Sequence, residues 1–125
     1  MNKKITIAID AMGGENSPDK IIRAIGLFEK KNSLKKDYIL NLFGDKNLIQ
    51  NKIDKFKIQT DNIIITHTNS VISDEDTPLT AIKNSKNTSM WNCIQSQING
   101  KSDISLSAGN TGVLLVISRM ILKMI

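Results

Sequence analysis

Gly13, Gly14, Gly44, Gly109 and Gly112 all fall just after segments rich in β-branched residues. In an open parallel sheet the carboxyl ends of the strands form the ligand crevice, so this placement points to a binding rim. For Gly44 alone, an ordinary strand-to-helix turn accounts for the residue. The run Asp10-Ala11-Met12-Gly13-Gly14-Glu15-Asn16-Ser17-Pro18 carries more. Adjacent glycines let the backbone approach a ligand while the next helix aims free N–H groups at it, an arrangement that suits an anion. Ser107-Ala108-Gly109-Asn110-Thr111-Gly112 is a second such turn, with hydroxyl and amide side chains able to hydrogen-bond oxyanions. Lys83 and Lys86 precede a helix predicted to start near Ser89, and lysine charge beside helix N–H groups favours phosphate. Two solvated surface lysines are the plainer reading of that pair taken alone.

Other chemistries find less support. The G-x-G-x-x-G dinucleotide fingerprint is absent, although Asp45, after the second strand, stands where a ribose-binding acid belongs and keeps a nucleotide reading open. His67, the sole histidine, ends the third predicted strand near the same rim; it reads equally as a supporting acid or base and as a hydrogen-bonded structural residue. No G-x-S-x-G elbow supports a serine triad. With one cysteine, Cys93, neither an intrachain disulfide nor a cysteine-based zinc site can form, and a reducing compartment fits. Cys93 falls off the apolar stripe of its helix and reads as an incidental small residue.

The elements that must position these groups are four short strands alternating with helices. The strands read as Ile5 to Asp10, Tyr38 to Gly44, Asn62 to Thr68 and Asp103 to Ser107. That alternation predicts parallel β-α units in an α/β fold, an open, mainly parallel sheet with helices on both faces. The apolar runs Ile7-Ala8-Ile9 and Ile63-Ile64-Ile65 predict strands covered on both sides. Ile21, Ile25 and Phe28 mark the inward face of the first helix, and Ile49, Ile53 and Phe56 that of the second. Ser17 as N-cap with Pro18 at the first helical position predicts the start of the first helix, and Thr77-Pro78 repeats the device. A further helix spans about Ser89 to Asn99, with Met90, Trp91, Ile94 and Ile98 in a stripe and Gly100 as its stop.

The 125 residues amount to one domain at most, 40% apolar, with 17 Lys and Arg against 12 Asp and Glu. The net charge of +5 suits an acidic partner, but scattered lysines and only five aromatics (one Trp, one Tyr, three Phe) argue against nucleic acid. The stretch from Val113 to Ile125 is broken by Arg119 and Lys123 and is shorter than the ~20 residues that span a bilayer. Its apolar character all round predicts cover from a partner chain or from downstream sequence. The opening Met1-Asn2-Lys3-Lys4 runs into a segment too short and too soon charged for a signal peptide, which predicts a cytoplasmic protein.

Three blocks together resemble the bacterial phosphate acyltransferase (PlsX) family. These are positions 7 to 18, Asp76-Thr77-Pro78 leading to Lys86-Asn87-Thr88-Ser89-Met90, and Ser107 to Gly112. Their order and spacing match the N-terminal part of that family over essentially the whole chain. Glu15 departs from the usual aspartate, and Asn84 and Ser85 thin a basic run around Lys83 and Lys86. The resemblance implies an αβα sandwich like those of phosphotransacetylases and isocitrate dehydrogenases, with residues 1–125 as one portion of a larger acyltransferase domain. It also implies transfer of a fatty acyl group from acyl carrier protein to inorganic phosphate, giving acyl phosphate for phospholipid synthesis. No metal or organic cofactor is implied. The expected protein is a cytoplasmic homodimer that meets the membrane surface only through sequence not present here.

On that expectation Lys86 and Asn110 act on the reacting groups. Gly13, Gly14, Gly109, Thr111 and Gly112 bind phosphate, Asp10 and Ser89 orient the turns, and His67 and Lys83 are supporting candidates. The rival readings are a non-catalytic phosphate- or nucleotide-binding Rossmann-like module and an inactive fragment of the enzyme.

Overall fold

A computed structural model describes residues 4–31, 37–73, 75–77, 80 and 85–122. Strand β1 (Ile5–Asp10) lies inside the sheet, between β2 (Tyr38–Gly44) and β4 (Ile104–Ser107), and β3 (Ile63–His67) forms one edge beyond β2. All pairings are parallel, with Ile9 opposite Leu42 on one side and Leu106 on the other. The chain therefore builds outward from β1 through β2 to β3 and then returns to place β4 against the far side of β1. Strand order reverses at β1/β4, and the carboxyl ends there form the crevice where open α/β sheets hold ligands.

Helices α1 (Asp19–Lys31) and α2 (Lys46–Lys55) cover one face, where Ile22, Ile25, Leu40, Leu42, Ile49 and Ile53 form the main core. Helix α3 (Ser89–Ile98) covers the other face, seating Cys93 against Ala8 and Phe43. Helix α4 (Thr111–Leu122) packs beside α3 through Val113 and Ile117, with Met90, Ile94 and Ile72 between them. Side chains alternate across β1, so Ile7 and Ile9 serve the α1 face while Ala8 and Asp10 look toward α3. Ala8, wholly buried, lets α3 come close to the strand.

Several expectations are corrected. Glu29 is buried on α1 in place of Phe28, which is 39% exposed and stands edge-on to Tyr38. Phe56 is the C-cap just past α2 and still packs against the main core as expected, with Arg23 and Lys55 approaching its ring. On α3 the inward side chains are Met90, Cys93 and Ile94, whereas Ile98 is exposed, because this helix answers both to the sheet beneath it and to α4 beside it. Cys93 is thus fully buried rather than peripheral. Among the described residues strand β3 is covered by a helix on one face only, and Ile64 is half exposed, since α3 packs on β4, β1 and β2. Helix α1 opens at Asp19 after a cis Ser17–Pro18 bond. There the Pro18 carbonyl accepts from the Ile22 amide, while the Ser17 hydroxyl turns back to the Gly13 carbonyl instead of capping. The predicted stop at Gly100 is present, with φ +74 directly after the C-cap Asn99. Pro78 and Lys83 lie outside the described residues, as do Lys123 to Ile125.

Candidate functional site

Asp10 ends β1 and is 1% exposed. Its Oδ1 accepts the Ser89 hydroxyl at 2.6 Å and the Met12 amide at 3.2 Å, and its Oδ2 accepts the Ser107 hydroxyl at 2.8 Å. A buried carboxylate is tolerated when donors satisfy it, and these three supply that compensation. They come from the first turn of α3, from the loop after β1 and from the end of β4. One side chain therefore ties together three segments distant in sequence.

The serines reach Asp10 for identifiable local reasons. Thr88 caps α3, its hydroxyl accepting from the Trp91 amide, which places Ser89 at the first helical position. Ser107 stands opposite Asp10 in the β1–β4 register, so both side chains leave the same face of the sheet. The Ser107 oxygen also accepts the Gly109 amide at 3.1 Å and sets the start of the next turn.

Above this network the two glycine turns touch. A Cβ on Gly13 would lie 2.7 Å from Asp10 Oδ2 and 2.9 Å from the Gly109 nitrogen, so the two backbones meet because Gly13 lacks a side chain. Gly14 has φ +88, and a Cβ there would lie 2.8 Å from the Ala108 carbonyl oxygen. The rim brings Asp10, Gly13, Gly14, Ser89 and Gly109 together, with Thr111 and Gly112 exposed in the first turn of α4. The Gly109 amide is committed to Ser107. Among the described residues, the free donors of the rim are the amides of Gly13, Gly14, Thr111 and Gly112. The positive end of α4 reinforces the last two.

Asn110 caps α4, its Oδ1 accepting the Val113 amide at 3.2 Å. Its Nδ2 donates to the Ser73 carbonyl at 3.2 Å and to the Asp76 carbonyl at 2.8 Å. Both amide hydrogens are thus engaged by the β3–α3 connection. Lys86 is exposed in the 3-10 turn Ser85–Asn87, and its carbonyl accepts from Asn92 Nδ2 at 3.1 Å. That turn leads into Ser89, so the Lys86 backbone is anchored close to the Asp10 network.

His67 lies apart from this cluster, on the edge strand β3. Its Nδ1 accepts the Lys46 amide at 3.1 Å, and its Nε2 faces Asn69 Oδ1 at 3.0 Å. An amide oxygen only accepts, so the ring proton sits on Nε2, and both nitrogens are committed to the start of α2 and the loop after β3. Cys93 offers no nucleophile: burial first, and the charge of Asp10 second, push its thiol up to about 12. Among the described residues no group of three His, Cys, Asp or Glu is placed to hold a metal, and no helix is long and apolar enough to cross a membrane.

Sequence reasoning passed over Ser107 as a site residue. The signal was the pairing of a strand-terminal serine with a strand-terminal aspartate, and it appears only once β4 is known to lie beside β1.

An open parallel sheet with two glycine turns meeting at its switch point defines an α/β protein with a candidate ligand crevice at the carboxyl ends of its strands. The model of the family described as fatty acid synthesis protein matches residues 5–125, and the chain belongs to that family. It is 50% identical over 125 residues to the phosphate acyltransferase of Pelagibacter ubique, covering all of this chain and 36% of that protein. It is 41% identical over 109 residues to the phosphate acyltransferase of Pediococcus pentosaceus, covering 87% of this chain and 29% of the relative. A phosphate acyltransferase of Streptococcus pyogenes is 40% identical over 111 residues, covering 89% and 31%. The chain spans about a third of the length of the curated relatives it matches.

Proposed function

We propose that this segment supplies the phosphate-binding rim of an acyltransferase that moves a fatty acyl group from acyl carrier protein to inorganic phosphate, for phospholipid synthesis. The observation that carries the reading is the contact between the Gly13 and Gly109 turns, held by Asp10 through Ser89 and Ser107. The names of the relatives supply the reaction class.

The amides of Gly13, Gly14, Thr111 and Gly112 receive phosphate, and Lys86 adds positive charge from the turn before α3. One phosphate oxygen forms a bond to the thioester carbonyl carbon, the carbon–sulfur bond breaks, and the carrier thiolate leaves with the electron pair and takes a proton from solvent. The backbone amides stabilise the oxyanion between these events. One such donor contributes about 3 kcal/mol to the transition state, so positioning and electrostatics carry the step without a covalent enzyme intermediate. Asp10 acts on the turns rather than on the substrate, since its oxygens are already engaged. The working form is a cytoplasmic homodimer that meets the membrane through the remainder of the protein.

The test uses a full-length enzyme whose first 125 residues are these. Lys86→Ala and Asn110→Ala are made separately, and acyl phosphate formation from acyl carrier protein is measured. Both rates, measured at phosphate well below its KM, should fall at least tenfold; undiminished rates in both overturn the assignment. Calorimetry that finds dinucleotide binding and indifference to the carrier protein would favour a non-catalytic module instead.

A further inference from the structure

The connection between β3 and α3 is fixed at three places among its described residues. Its neck closes where the Ser70 amide donates to the Asn87 carbonyl at 3.2 Å and the Ser89 amide donates to the Ser70 carbonyl at 3.1 Å. Its first limb is pinned by Ile72, 6% exposed in the cluster between α3 and α4. The third fixture lies outside the connection: the Asn110 amide group donates to both the Ser73 and Asp76 carbonyls. Those residues already form a tight turn, in which the Asp76 carboxylate accepts the Ser73 amide at 2.8 Å and the Ser73 carbonyl accepts the Asp76 amide at 3.1 Å. The carbonyls offered to Asn110 are therefore preset.

We propose that Asn110 is a positioning residue, a strap that ties the α4 N-terminus, with its Thr111 and Gly112 amides, to the Ser73 and Asp76 carbonyls while capping that helix. The inference rests on the reading that this rim holds phosphate, and it gives the Asn110 side chain a task other than contact with the oxyanion. Asparagine suits both duties. Its oxygen accepts Val113 and its two hydrogens reach two carbonyls, whereas aspartate supplies only the cap and serine or threonine has one hydrogen at most. The strap fixes where the α4 amides point, so it matters to phosphate affinity even though it touches no reactant.

Asn110→Asp separates the two duties: it keeps the cap acceptor and removes both donors. In the full-length enzyme, hydrogen exchange at the Ser73 and Asp76 amides should accelerate at least tenfold while Val113 to Ile117 stay protected. The Kd for inorganic phosphate by calorimetry, and its KM in turnover, should rise at least tenfold with kcat within threefold of the parent. Asn110→Ser is read in the same way if the added charge beside Asp76 prevents folding. Unchanged exchange at Ser73 and Asp76, or faster exchange with unchanged phosphate affinity, overturns the strap. If phosphate affinity falls as expected but the parent enzyme transfers no acyl group from carrier protein, the acyltransferase reading fails and the strap stands. If the parent binds no phosphate, both fail.

Discussion

The Ser89 hydroxyl meets the Asp10 carboxylate at 2.6 Å although 79 positions separate the two residues in sequence. The contact joins the start of α3 to the end of β1, and Ser107 repeats it from β4 at 2.8 Å. Because these bonds are the only side-chain links the carboxylate makes among the described residues, the rim's geometry and the protein's stability are set by the same atoms.

Ser89→Ala and Ser107→Ala should each lower unfolding stability by about 1–3 kcal/mol, the usual consequence of removing one partner from a buried charged group. Urea denaturation measures it. The double variant should depart from additivity by at least about 0.5 kcal/mol, since both hydroxyls serve one acceptor. Additive losses below that level would mean that Asp10 is satisfied in another way.

Substitutions at the two facing glycines should differ in severity. A methyl on Gly13 meets a fixed carboxylate oxygen and a backbone nitrogen, neither of which can retreat without opening the Asp10 network. A methyl on Gly109 first meets the Met90 Cε at 2.7 Å, the far end of a flexible side chain. Overpacking typically costs about 1–3 kcal/mol, so Gly13→Ala belongs near the top of that range and Gly109→Ala near the bottom. Thermal or chemical denaturation that reverses the order would show that the Met90 pocket is the stiffer one.

The strands were legible because β-branched runs ended by glycine are a local signal, and β1 and β2 begin and end where the pattern places them. The convergence of the Gly13 and Gly109 turns at one rim was legible for the same reason. The inward faces of α1 and α3 were less so, because periodicity in one helix does not say how many neighbours it has. Cys93 and Ser96 are buried since α3 lies on the sheet as well as against α4. The partners of Asp10 and Asn110 were hidden for a stronger reason: a carboxylate or carboxamide carries no local mark of the distant donor or carbonyl it will meet.

Cys93 should resist thiol reagents at pH 8 in the folded protein and react once denaturant is added. Its thiol is pushed up to about 12 from an ordinary 9.0 by burial and by Asp10. The sign for stability follows. Below about pH 9 neither state ionises the thiol and stability is at its full value; as pH rises toward 12 the unfolded chain ionises first and stability falls. Tyr38, raised by burial and by Glu29, acts in the same sense. Cys93→Ala should therefore lose less stability than the parent between pH 9 and 11, and parallel curves would contradict this account.

His67 gives the sharpest contrast between a structural and a chemical role. Its Nδ1 accepts the Lys46 amide at the first position of α2, while Asp45 caps the same turn through the Leu48 amide at 3.1 Å. His67→Ala should remove one of these two supports, lowering stability by about 1 kcal/mol. On the proposed function, acyl transfer by a full-length enzyme carrying the change should stay within twofold of its parent, because β3 is separated from the β1/β4 crevice by β2. His67→Asn, whose amide oxygen can take the place of Nδ1, should recover much of the loss. A proton-transfer role would show the opposite pattern, a fall in rate of about a hundredfold or more with stability little changed. Measured together, denaturation midpoint and turnover decide which pattern holds, and the second would move the reaction centre away from the glycine turns.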